Sequence, residues 1–298
     1  MLNNIAVVES NQEGGELGHL FWYSIGEDLY PRQKLESSLN KCGLSARHMP
    51  NEVRLVDAFR RATKEVETRI NQGKGITENY LVRDVSSNRE LVIRHIVLET
   101  IDSNGRKLSY NEEEAVMKLD KINDSIDIKA IIGSTAEGLG NEAKKYYEIF
   151  KENHNGAAVR TMIQNMLWTL SPTPVRTSGG IYFIPSAQTE GLAKLVAFCS
   201  SFDKGEGYKV PVVESKESLK MISTKVADHL DSILNQCKGA LKDDTLTPYR
   251  LKELTTEARN VVSGFKDYEQ ILFKQKDEME ARVQFIREAM TLLFDKAA

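Results

Sequence analysis

The residues that could do chemistry in this 298-residue chain are scattered. Glu112, Glu113 and Glu114 run consecutively, Asp120, Asp124 and Asp127 follow, and Glu99 and Asp102 lie just before. Two or three converging carboxylates hold the metal ions of many nucleases. Here the spacing fixes no geometry, so an acidic loop is the simpler reading and a metal-dependent enzyme is kept only as a last alternative. Ile128 to Ile132, then Gly133, Gly138 and Gly140, give the strand, glycine loop and helix order of a phosphate loop. Leu139 and Gly140 stand where the lysine and hydroxyl residue would have to be, so nothing there reaches a β- or γ-phosphate. His19, His48, His95, His154 and His229 are not paired with another His or Cys at ligand spacing. No GxSxG elbow occurs. Cys42, Cys199 and Cys237 lie far apart without a CxxC, which fits reduced thiols in a cytoplasm. No catalytic residue, cofactor or metal site is therefore expected.

A nucleic-acid reading has more content. Helices are expected over 141–153 and 156–170, with a hairpin over 174–185, the order of a helix-turn-helix with a wing. Arg160, Thr161, Gln164 and Asn165 carry side chains able to read base edges, and Lys144, Lys145, Lys151 and Arg176 could meet phosphates. Glu148 and Glu152 sit among them, and amphipathic helices generally carry such polar residues.

These residues need elements to position them. The pattern predicts an α+β body with antiparallel strands followed by a long-helix, coiled-coil-like region, in three stretches: 1–125, 126–214 and 215–298. Short strands are expected at 3–8 and 19–25, and a helix from Pro31 to Lys41 stopped by Gly43. Leu55, Phe59, Ala62, Val66 and Ile70 predict a helix over 52–72. Residues 78–118 read as β, with Asn104-Gly105 at a type I′ turn. Ile181 to Ile184 is apolar on both faces, as in a central strand or an edge that pairs with a partner.

The last stretch is helical throughout. Thr247-Pro248 is a hydroxyl cap with proline at the first helical position. From Leu251 to Leu293 apolar residues alternate steps of three and four, interrupted by Gln275 and Arg282. One unbroken helix of this length would extend roughly 75 Å, further than the preceding helix, 215–240, can cover. Leu272, Met279, Val283, Ile286, Met290 and Leu293 are thus expected to bind a partner, first of all a second copy.

Net charge is −3, with 41% hydrophobic residues and charges of both signs interspersed. No global field draws the chain to nucleic acid or membrane. No apolar run approaches the ~18 residues of a membrane span, and residues 1–10 lack the pattern of a secretory signal.

Trp22-Tyr23 with Ile25, Met49-Pro50, Ala58-Phe59-Arg60-Arg61-Ala62 and Gly179 to Pro185 (GGIYFIP) together resemble an uncharacterised family of bacterial, phage and mobile-element proteins. The resemblance covers about residues 18–215 and carries no functional residue. It implies only a prokaryotic or phage setting, in which a protein of this size with no catalytic motif and a long helical tail is expected to act by binding. An oligomeric inhibitor of a host antiviral-defence complex, working in the bacterial cytoplasm, is the expected kind of function.

Overall fold

The computed structural model describes residues 15–176, 178–243 and 245–297, with the side chains of 274, 296 and 297 left aside. The strand expected over 3–8 lies outside the described residues. Two compact units share the chain. The first holds residues 15–28, 36–49 and 156–297; the second holds 29–35 and 50–155. Of the stretches 1–125, 126–214 and 215–298, the first two each contribute to both units, and the third lies wholly in the first. No described helix is long and apolar enough to cross a membrane.

The second unit is an antiparallel meander of five strands, β3 (Thr68–Gly73), β4 (Ile76–Ser87), β5 (Leu91–Ile101), β6 (Lys107–Asp120) and β7 (Ser125–Ala130), in sequential order. Helices α2 (Leu55–Glu65) and α3 (Thr135–Glu152) share a core with it around Phe59, Ile96, Met117, Leu119 and Tyr147. A ribbon of β2 (Leu29–Pro31) and β8 (Asn153–Asn155) completes it. The helix expected over 52–72 ends at Glu65. Residues four apart suit one helical turn or two strand repeats equally. The tie is broken by Lys74 and Gly75, which take φ of 51° and 76° and fold 68–73 back onto β4 in a two-residue turn. The turn expected at Asn104-Gly105 forms, but not as type I′. Only Gly105 has positive φ, and the Asp102 carboxylate organises the loop by accepting from the Asn104 and Arg106 N–H groups. Gly138 and Gly140, expected in a loop, lie inside α3, which Ser134 caps.

In the first unit, β1 (Glu16–Ile25) is central to an antiparallel sheet. It pairs with β11 (Gly205–Val213) on one side and β10 (Tyr182–Pro185) on the other, with β9 (Thr173–Pro174) beyond β10. α4 (Gly156–Leu167) and α5 (Thr189–Cys199) also pack on the strands. Gly207 lets α5 approach: a Cβ there would meet Cys199 Cβ at 2.9 Å and Val196 Cα at 3.2 Å. α1 (Arg32–Lys41) carries the chain across the 35/36 boundary.

The C-terminal region is helical but is not one rod. It forms α6 (Lys216–Lys242), α7 (Pro248–Gly264) and α8 (Lys276–Ala297). The expected continuous helix breaks over 265–275, where only short 3₁₀ turns remain. Long-range hydrogen bonds hold the break. The Tyr268 hydroxyl donates to the Ser171 carbonyl at 2.6 Å and accepts from Thr173 Oγ1 at 2.9 Å. Asp267 Oδ2 accepts from Ser171 Oγ (2.6 Å) and Gln188 Nε2 (2.8 Å). The break lets α8 fold back against α6 and α7. Leu272, Met279, Val283, Ile286, Met290 and Leu293 are all buried in this intrachain core with Ile222, Leu230 and Ile233. The seam is therefore covered by its own chain, not held out for another. Arg282, an apparent flaw in the seam, donates from Nε to Asp231 of α6 at 2.9 Å.

A cavity of about 20 Å³ beside the break, lined by His229, Ser171, Thr173 and Tyr268, has room for about one water. Burial pushes the pKa of His229 down to about 4. The unfolded chain then binds a proton near pH 6.5 while the folded one stays neutral to about 4. Its contribution is complete above pH 6.5 and is lost as pH falls toward 4. The expected loss is on the order of 2 kcal/mol after allowance for partial exposure of the ring. Urea unfolding at pH 7.5 and 5 should show His229→Leu with a smaller difference than the parent chain; equal differences would count against the assignment.

Candidate functional site

A groove of the first unit lies along the edge of β1. β10 stops at Tyr182, opposite Phe21, while β11 continues to pair with β1 as far as Ile25. From Trp22 to Ile25 the central strand thus has, among the described residues, a paired strand on one side only. Backbone polar groups of successive strand residues point to opposite edges. Gly26 N–H donates to Lys204 O on the β11 side at 2.8 Å. Ile25 and Tyr23 therefore point the other way. The Ile25 carbonyl accepts from Arg160 Nη1 at 2.9 Å. Tyr23 presents its N–H and C=O to a groove of about 430 Å³, with no strand beside them among the described residues.

Trp22, Tyr23, Ser24, Ile25, Ile181 and Tyr182 line this groove together with Gly179, Gly180 and Arg160. Gly179 and Gly180 have φ of 116° and 66°, and they keep side chains out of its mouth. Trp22 is 36% exposed and stacks on Tyr208 of β11, centroids 5.6 Å apart. Arg160, the one charged lining residue among the described residues, is held by Glu27 at 2.5 Å as well as by Ile25. Tyr23 has its pKa pushed up to about 12, mainly by burial and further by Tyr182 and Cys199, with Arg160 opposing. Burial raises that of Tyr182 too. Both phenols are neutral donors at physiological pH. Among the described residues no histidine, cysteine or carboxylate lines the groove. The arrangement can bind and orient a chain; it offers no acid–base pair.

The residues singled out for nucleic acid are divided between the two units. Lys144 and Lys145 are exposed on α3, in the second unit. Gln164 and Asn165 are exposed on α4, in the first, and Arg176 is exposed in the loop before β10. The helix-turn-helix with wing expected over 141–185 is thus divided between units at 155/156, and β8 intervenes. Arg160 does not face out to read bases but turns into the groove. The carboxylates Glu112 to Glu114 form a bulge in β6, where two strand positions of β5, Ile96 and Leu98, pair with Ala115 and Asn111. Asn111 and His95 pin that bulge. Among the described residues no group of three His, Cys, Asp or Glu could hold a metal ion. Sequence reasoning gave Trp22 and Tyr23 no binding role, and placed Tyr182 in a run read as a central strand or a partner-pairing edge. That β10 is shorter than β1 is a property of pairing, which no local pattern encodes.

A family model matches residues 16–298, nearly the whole chain. The chain belongs to the family of unknown function DUF6744. The resemblance drawn from Trp22-Tyr23 and the GGIYFIP segment to an uncharacterised family is therefore sound, and the membership extends through the C-terminal helices. No curated protein and no solved structure matches this chain.

Proposed function

We propose that this chain is a non-enzymatic binding protein that accepts an extended polypeptide segment onto the open edge of β1. The observation that carries this is the Tyr23 backbone, which faces a groove where β10 has ended. An added strand gains affinity from main-chain hydrogen bonds and specificity from alternate side-chain pockets. Trp22 and Tyr182 supply rigid aromatic surface on either side, the residue types that dominate binding hot spots. A strand edge is complementary to polypeptide and not to a sugar–phosphate backbone, which favours this reading over nucleic acid. Such a protein acts stoichiometrically, as an inhibitor encoded by a phage or mobile element against a host antiviral-defence complex would.

The test is to select binders from a random peptide library on the full chain and titrate the best of them. Binding is expected to slow amide exchange over 22–25. Trp22→Ala and Tyr182→Ala are each expected to weaken binding about tenfold or more. A selected peptide that binds both variants as well as the parent, or leaves exchange over 22–25 unchanged, would sink the proposal. Competition by a single-stranded oligonucleotide would assign the groove to nucleic acid instead.

A further inference from the structure

The helix that breaks over 265–275 comes close to not breaking. Between Phe265 and Gln275 there is no glycine and no proline, and the apolar steps run on through Tyr268 and Leu272 to Met279. Gly264, Phe265, Glu269 and Lys276 all keep right-handed helical φ and ψ. Leu272 N–H still donates to the Tyr268 carbonyl at 2.9 Å, the bond of an unbroken helix. Leu272 itself leaves the helical region, with φ of −100° and ψ of 19°. A modest change of backbone angles around it joins α7 to α8 in one rod from Pro248 to Ala297, roughly 75 Å long.

The bend is kept by a clasp from elsewhere in the same unit. Asp267 holds Ser171 and Gln188, and Tyr268 holds the Ser171 carbonyl and Thr173. The clasp is under tension. Ser171 sits in the left-handed region, with φ of 52° and ψ of 50°, a conformation that a serine keeps only when its surroundings impose it. Gly264 makes room for it: a Cβ there would lie 2.6 Å from Ser171 Oγ and 2.8 Å from Ser171 Cβ. The last residue of α7 is thus small enough to let the clasp close, while the sequence beyond it has the period of a continuous helix.

We propose that residues 265–275 are a hinge through which α8 is exchanged between two copies of this chain. When the clasp opens and the hinge straightens, α8 leaves its own α6 and uncovers Met279, Val283, Ile286, Met290 and Leu293. The α6 surface it vacates is uncovered with it. A second copy, opened in the same way, offers each of these surfaces the partner it has lost. The contacts to be remade are those of the closed chain, the α8 seam against Ile222, Leu230 and Ile233 and Arg282 against Asp231. Exchange conserves them, so the balance rests on what differs: the clasp hydrogen bonds against the helical bonds of the straightened hinge, together with the entropy of association. The dilute chain is then a closed monomer, and a twofold dimer is reached as concentration rises or the clasp is weakened. The β1-edge groove takes no part in the exchange.

The experiment is sedimentation velocity on the full chain after incubation at several hundred micromolar, a few degrees below its melting temperature, with two clasp variants. Gly264→Ala presses on Ser171 and favours the helix. Asp267→Ala removes the acceptor shared by Ser171 and Gln188 without adding an atom. The parent is expected to give a minor dimer fraction. Each variant is expected to give a dimer whose dissociation constant is lower by about tenfold or more, the effect of losing hydrogen bonds to a charged group. Exchange is then identified by cysteine pairing. Gly264→Ala/Asp231→Cys is mixed with Gly264→Ala/Arg282→Cys, incubated in the same way and oxidised; should Gly264→Ala not fold, the two cysteines are placed on Asp267→Ala. A disulfide-linked dimer that needs both cysteines is expected, because α8 of one copy lies on α6 of the other, and neither variant alone should give it. Monomers of both clasp variants at every concentration, or a dimer that forms no link needing both cysteines, would overturn the proposal.

Discussion

Ile286→Ala is expected to destabilise the isolated chain by about 2–5 kcal/mol, whereas Phe285→Ala, one residue earlier, should cost less than about 1 kcal/mol. Both residues lie on α8 and both are large and apolar. Ile286 is fully buried in the core shared with α6 and α7, while Phe285 is 54% exposed. Truncating the first removes packed methyl groups and leaves a cavity between helices that cannot fully collapse. Truncating the second removes surface that is already largely in water. The comparison also decides where the heptad seam is satisfied. If it is covered within the chain, urea unfolding midpoints of the parent and of Ile286→Ala will not depend on protein concentration. A seam shared between copies would make both midpoints rise with concentration. Leu293→Ala, equally buried, should behave as Ile286→Ala does.

Why that seam was open to two readings shows which parts of this fold its sequence encodes. The apolar stripe over 251–293 is local and was legible, as were the Thr247-Pro248 start and the α6 stripe. The break at 265–275 was not. The period continues through Phe265, Tyr268 and Leu272, and the forces that end the helix come from Ser171, Thr173 and Gln188, some eighty to a hundred residues earlier. Where competing signals were local, the reading succeeded: β1, α1 and the β4–β6 meander lie close to where alternation and turn residues put them. Where one spacing served two structures, as from Val66 to Ile70, the partner strand decided. The chemistry of the groove was half legible. Trp22, Tyr23 and the glycines before β10 could be named, but an open edge exists only once β1, β10 and β11 are paired and one of them proves short.

That dependence on pairing makes Gly18 the position with the strongest expected effect on the groove. Gly18→Ala is expected to cost on the order of 3 kcal/mol or more, at the upper end for overpacking. A Cβ at Gly18 would sit 2.1 Å from the Ile184 carbonyl oxygen and 2.8 Å from Phe183 Cζ. The first of these is backbone in the neighbouring strand, so no rotamer change relieves it. Relief requires β10 to move away from β1, and the Gly18–Pro185 and His19–Ile184 pairs would go with it. Tyr182, at the end of that same strand, would then no longer stand opposite Phe21, and one wall of the groove would be displaced. Gly15→Ala is the control: it has open space around it and no positive φ, and should change stability by less than about 0.5 kcal/mol. Thermal unfolding measures the first effect, and titration with a groove-binding peptide the second. If Gly18→Ala melts like Gly15→Ala, then β1 and β10 are not held in this register. The open edge at Tyr23 would lose its structural basis, because its position is set by where β10 ends.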